Sequence, residues 1–121
     1  TTMGLHHKIC HVLGGAFGLP HAELHAIVLP HVARYNSKAA PQGMARVARA
    51  LKADDAASAL YHMLRRLRLA SALKQIGMPR SGVQQAAEEV CATPYRNPEV
   101  VDYEPVKAML ERAYEGVEPR P

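Results

Sequence analysis

The chain predicts an all-α fold, a bundle of about five to six helices, on three observations. Apolar residues recur at helical spacing in segment after segment, and Gly, Pro, Ser or Asp stands at most segment ends. No run of β-forming residues alternates with polar ones. Apolar residues make up 48% of the chain but aromatics only 5%, with no Trp, so the core must be Leu, Ala, Val and Met, which favours helices over a sandwich.

The first helix spans about residues 4 to 17, with Thr1 or Thr2 as its cap, and Gly18 and Pro20 break it. The second runs from about His21 to Tyr35 and ends near Asn36; Pro30, which has no N–H to donate, interrupts or kinks it. Pro41 opens a third helix, on which Met44, Val47, Ala48 and Leu51 form one stripe. Asp54 or Asp55 caps a fourth with the stripe Leu60, Met63, Leu64, Leu67, Ala70 and Leu73, stopped by Gly77 and Pro79. Ser81 caps a fifth, with Val83, Ala86, Ala87 and Val90 facing in. Residues 93 to 101 read as an irregular connector holding Pro94 and Asn97-Pro98. Asp102 caps the last helix, which buries Val106, Met109, Leu110 and Ala113 and closes at Gly116. No internal repeat is visible.

A length of 121 residues supports one domain, residues 1–121, with one core. The net charge of +4 and pI near 9.3 are modestly basic, and no basic–aromatic interleaving suggests nucleic acid. No signal peptide is visible and no apolar run approaches 18 residues, so no membrane span is expected. Cys10 and Cys91 lie far apart without disulfide-framework spacing, which fits a reduced, cytoplasmic setting. Arg65, Arg66 and Arg68 read as a solvated face.

Chemistry concentrates at the N-terminal end, where six of the seven histidines fall within 31 residues. His7 and His11 are four apart and share a helix face; His21 and His25 repeat the spacing after the break at Gly18-Leu19-Pro20. Imidazole is both a common metal ligand and a proton carrier near neutral pH. Two such pairs on two helices joined by a tight turn can converge on one ion or one reacting group. Neither pair encloses a glutamate, so this is not the metalloprotease HExxH pattern. Cys10 and Glu23 lie nearby in a different helical phase. Cys10 and His11 point about 100° apart, so a thiol–imidazole couple is not expected and Cys10 reads as a buried structural residue. On residues alone, metal binding, proton relay and plain packing stay open.

The wording around these histidines resembles a known family. Gly4, His7, His11 with Leu13-Gly14-Gly15, then Pro20-His21-Ala22, then Leu29-Pro30-His31-Val32 through Tyr35-Asn36 resemble the iron-containing alcohol dehydrogenases. The segments 4–15 and 19–23 look most like that family's maleylacetate reductase branch, and Ile76-Gly77-Met78-Pro79, Asn97-Pro98 and residues 110–116 resemble its C-terminal tail. The resemblance covers essentially the whole chain. It implies the C-terminal part of the dehydroquinate synthase-like helical domain, incomplete at its N-terminal side, with the nucleotide-binding domain absent from this chain. Gly14-Gly15 has no GxGxxG context.

What the resemblance implies about chemistry follows position by position. His7 and His21 match two ligands of a four-ligand metal site, for iron or zinc where a metal is used, and both match catalytic positions. His11 matches a catalytic position beside the nicotinamide. His6 and His25 are additional imidazoles suited to binding a dicarboxylate substrate. By the same resemblance the intact enzyme is an NADH- or NADPH-dependent oxidoreductase and a homodimer. It reduces the carbon–carbon double bond of maleylacetate to 3-oxoadipate in aromatic-compound degradation. The fragment alone is expected to be inactive. Other readings are a metal-dependent alcohol or hydroxyacid dehydrogenase of the same superfamily and a free-standing helical metal- or partner-binding module.

Overall fold

The computed structural model describes residues 4–92 and 100–119, and these contain helices and no strand. The six α-helices are α1 (Gly4–Phe17), α2 (His21–Asn36), α3 (Pro41–Ala50), α4 (Ala56–Arg66), α5 (Gly82–Val90) and α6 (Tyr103–Glu115), with one 3-10 turn over Leu73–Ile76. The expected caps at Thr1 and Thr2 and most of the connector after Ala92 lie outside the described residues.

The hub is α2, which packs on α1, α4 and α6, while α5 closes against α1 and α6. Leu5, Ile9 and Leu13 of α1 meet Leu24, Ile27, Val28 and Val32 of α2 in one core with Val83, Ala86, Ala87, Val90, Val106, Met109, Leu110 and Ala113. The expected inner faces of α5 and α6 are therefore the buried ones. Pro30 is accommodated inside α2, whose helical span continues through it to Asn36. Asp55 caps α4 by accepting the Ser58 N–H at 3.0 Å, and its carboxylate also pairs with Arg34 of α2. Asp102 and Ser81 occupy the expected N-cap positions of α6 and α5 without a side-chain cap bond.

The fourth helix is shorter than its apolar stripe predicts. It stops at Arg66, and Leu67 and Leu69 are 62% and 53% exposed. Arg68 takes a left-handed backbone (φ 60°), the Arg68 N–H donates to the Arg65 carbonyl at 3.1 Å, and the Leu69 N–H donates to the Leu64 carbonyl at 2.9 Å. That pair of bonds is a Schellman ending, which satisfies the last carbonyls and turns the chain away. The chain then re-enters the core at Ser71, Ala72 and Leu73. Helix α3 ends the same way at Lys52 (φ 55°), with the Ala53 N–H on the Ala48 carbonyl at 2.8 Å. Only Ala48 of the α3 stripe is buried; Met44 and Val47 instead line an open apolar groove with Leu29, Ala33 and Leu60.

Candidate active-site cleft

The site lies on the α1–α2 hairpin. Gly18, at φ 62°, adopts a backbone that a side chain rarely allows, and its N–H donates to the Gly14 carbonyl at 3.0 Å to finish α1. Leu19 then turns into the core and Pro20 leads into α2, whose Leu24 N–H donates to the Pro20 carbonyl at 2.9 Å. This tight turn sets the two histidine pairs side by side.

His7, Cys10, His11, Gly14, Gly15, His21 and His25 line one open cleft of about 470 Å³. A Cβ on Gly15 would meet nothing within 4 Å, so this glycine leaves space rather than relieves a clash. A second depression of about 510 Å³ adjoins it, sharing His11 and Gly15 and adding Lys8, Gln85 and Glu89. The cleft thus extends past His11 toward α5.

The imidazoles form a chain of ring contacts. His21 and His25 have centroids 4.1 Å apart, His25 and His6 5.0 Å, and His6 and His7 5.9 Å, the last two edge to face. Burial holds the His25 pKa below its ordinary value, and the neighbouring His21, His6 and His7 lower it further. Neutral imidazole at neutral pH is the result, a form with one nitrogen free to accept or ligate and one N–H to donate.

Four of the five residues singled out from sequence, His7, His11, His21 and His25, face the same cleft. His6 does not line it. It is buried behind the wall, with Nε2 at 3.2 Å from the His25 carbonyl and 3.8 Å from the Cys10 Sγ. Burial lowers its pKa more than the carbonyl contact raises it. Cys10 also differs from its expected phase: it borders the cleft and its imidazole neighbour is His6, one turn back, not His11. Burial pushes the Cys10 thiol up to about 12, so it is no nucleophile at neutral pH. One ligand atom each from His6, Cys10 and His25 lies within 4.8 Å of the others, the only such group of three among the described residues.

His31, which carries no separate role in the sequence pattern, is the most buried imidazole at 2% exposure. Neither ring nitrogen has a hydrogen-bond partner, and burial, aided by the Arg112 charge, lowers its pKa to about 4. It is therefore neutral at neutral pH. His62 sits elsewhere, on α4, in an exposed pair with Glu118 at 2.7 Å. Arg65, Arg66 and Arg68 are exposed as expected.

His7 and His21 are both exposed and line the same cleft, and imidazole is a ligand type that zinc takes. A tetrahedral ion there needs further ligands.

Known proteins match this chain along its length. Residues 1–114 match the model of the Fe-containing alcohol dehydrogenase family, C-terminal part. Maleylacetate reductase of Burkholderia cepacia is 48% identical over 118 residues, covering 98% of this chain and 34% of that protein. Maleylacetate reductase of Sphingobium indicum is 42% identical over 118 residues, with the same coverage. The crystal structure of maleylacetate reductase from Agrobacterium tumefaciens superposes with a TM-score of 0.91 at 38% identity, covering 96% of this chain and 33% of that one. The iron-containing alcohol dehydrogenase from Corynebacterium glutamicum gives 0.84 at 39% identity, covering 93% and 32%. The chain spans about a third of the length of these relatives.

Proposed function

Because the chain belongs to the Fe-containing alcohol dehydrogenase family, within that family's C-terminal part, we propose that it is the C-terminal third of an NAD(P)H-dependent maleylacetate reductase. The observation that carries the reading is the convergence of His7, His11, His21 and His25 on one open cleft, in a chain 48% identical to such a reductase. The nucleotide-binding part of the protein lies outside this chain. No helix among the described residues is long and apolar enough to cross a membrane.

The reduced nicotinamide supplies a hydride, and a divalent ion, where one is held at His7 and His21, supplies Lewis-acid polarisation. The residues of this chain do the rest. As hydride reaches one carbon of the conjugated double bond, negative charge grows on the conjugated oxygen. Where no ion is held, imidazole N–H groups of His7 and His21, both on the cleft, stabilise that charge by hydrogen bonding. His11, one turn beyond His7 and shared with the adjoining depression, is placed to hold the cofactor ring and to deliver the proton that completes the reduction. His25 offers an N–H to a substrate carboxylate, and Lys8 in the adjoining depression offers a charge to the other.

The test compares substrates on the intact protein. Oxidation of NADH or NADPH by maleylacetate, with little or no oxidation of primary alcohols by NAD or NADP, supports the reading. Preferential turnover of a primary alcohol overturns it in favour of a metal-dependent alcohol dehydrogenase.

A further inference from the structure

We propose that His6, Cys10 and His25 form a binding site for a thiophilic divalent cation, separate from the His7–His21 pair. The proposal does not rest on the reductase reading, since it concerns a ligand set and not a reaction.

His6 and Cys10 are one turn apart on α1, so their side chains leave the helix on one face. That face is turned to α2, where His25 comes across from the other side of the Gly18–Pro20 turn. The three ligand atoms therefore come from two elements held together by the core, which fixes their separation better than a loop would. Sγ of Cys10 is 3.8 Å from Nε2 of His6, and all three ligand atoms lie within 4.8 Å of one another. Around a tetrahedral zinc, with bonds of about 2.0–2.1 Å to nitrogen and about 2.3 Å to sulfur, ligand atoms sit roughly 3.3–3.6 Å apart. Closure by about 1 Å is within reach of side-chain rotation at His25, which is only half-buried.

The donor set decides which cation. Two imidazoles and one thiol suit zinc, cadmium or another borderline-to-soft ion, and the absence of a carboxylate in the group gives magnesium or calcium nothing to hold. His6 Nε2 faces both the His25 carbonyl and the Cys10 thiol, and a neutral ring serves one of them with that nitrogen. Binding selects the form in which Nε2 carries a lone pair. The step is a ligand exchange without redox: the S–H bond breaks, a sulfur–metal bond forms, and the thiol proton leaves to solvent. Cys10 and His25 border the cleft, so the fourth position of the ion opens toward it and takes water.

The experiment titrates cadmium into the intact, metal-stripped protein, nucleotide-binding part included, and reads the ultraviolet charge-transfer band of a cadmium–thiolate bond. One thiolate-bound cadmium per chain is expected, whatever the His7–His21 pair takes up besides, with the band retained in Cys91→Ser and in His7→Ala. Cys10→Ser should abolish the band. His25→Gln should weaken binding by upwards of about 100-fold, more than loss of a ligand's supporting hydrogen bond costs. Because Cys10 is buried and its variant can fail to fold, His25→Gln carries the test on its own, with circular dichroism as the folding control. No band in the unmodified protein, a band that survives Cys10→Ser, a band lost in Cys91→Ser or His7→Ala, or undiminished affinity in His25→Gln each overturns the proposal.

Discussion

His31 should make the fold acid-sensitive by an amount that can be worked out in advance. Its pKa is lowered to about 4 by burial and by Arg112, from an ordinary 6.5. Above pH 6.5 the ring is neutral whether the chain is folded or unfolded, and the residue gives no pH dependence. As the pH falls from 6.5 toward 4, the unfolded chain takes up the proton and the folded chain does not, so stability is lost across that window. At about 1.36 kcal/mol per pH unit the loss is about 2 kcal/mol at pH 5 and about 3 kcal/mol at pH 4. His6 and His25, also shifted down, act in the same direction and remain in a His31→Gln variant. Urea unfolding at pH 7 and pH 5 of both proteins isolates the His31 share. The variant should be less stable at pH 7 but should lose about 2 kcal/mol less than the unmodified chain on going to pH 5. An identical pH dependence in the two proteins would refute the reasoning, because only a solvent-accessible His31 would titrate alike in both states.

Gly116 and Gly77 both have left-handed backbones, but only Gly116 is crowded: a Cβ there would lie 2.7 Å from the Ala72 Cβ. Gly77→Ala should cost about 1–2 kcal/mol for its backbone alone, and Gly116→Ala about 2–5 kcal/mol with the overpacking added; equal melting shifts would contradict this. Leu13→Ala, at a fully buried position in α1, should cost about 2–5 kcal/mol by thermal unfolding, and a loss below about 1 kcal/mol would show that the core is not closed there. At neutral pH a thiol reagent should modify half-buried Cys91 before buried Cys10, which mass spectrometry of the labelled peptides checks; the reverse order would mean that the cleft wall is open.

Much of this architecture was legible in the residues because its ends are punctuated by chemistry with few alternatives. Gly18 and Pro20 separate α1 from α2, Pro41 opens α3, Asp55 caps α4, and Gly116 closes α6. The early end of α4 was not legible. Its left-handed residue is Arg68 rather than glycine, and the apolar spacing continues through Leu67 and Ala70 as if the helix did. Only tertiary packing, which draws the chain back into the core at Ser71, decides that ending. The cleft was legible in the four-residue spacing of His7–His11 and His21–His25, since helical periodicity fixes shared faces. The positions of His6 and Cys10 depend on which α1 face meets α2, and spacing within one helix does not carry that information. His31 hides for a similar reason: its burial comes from contacts of α2 with the rest of the bundle.

The histidine cleft as the place of chemistry is tested most directly by steady-state reduction of maleylacetate by NADH or NADPH in the intact protein and three variants. His7→Ala and His21→Ala should lower kcat/KM by roughly 10²–10⁴, the range of a lost proton-transfer or electrostatic partner. His62→Ala, outside the cleft, should stay close to the unmodified protein. Equal loss in all three variants, or full activity in His7→Ala and His21→Ala with folding preserved, would contradict the account.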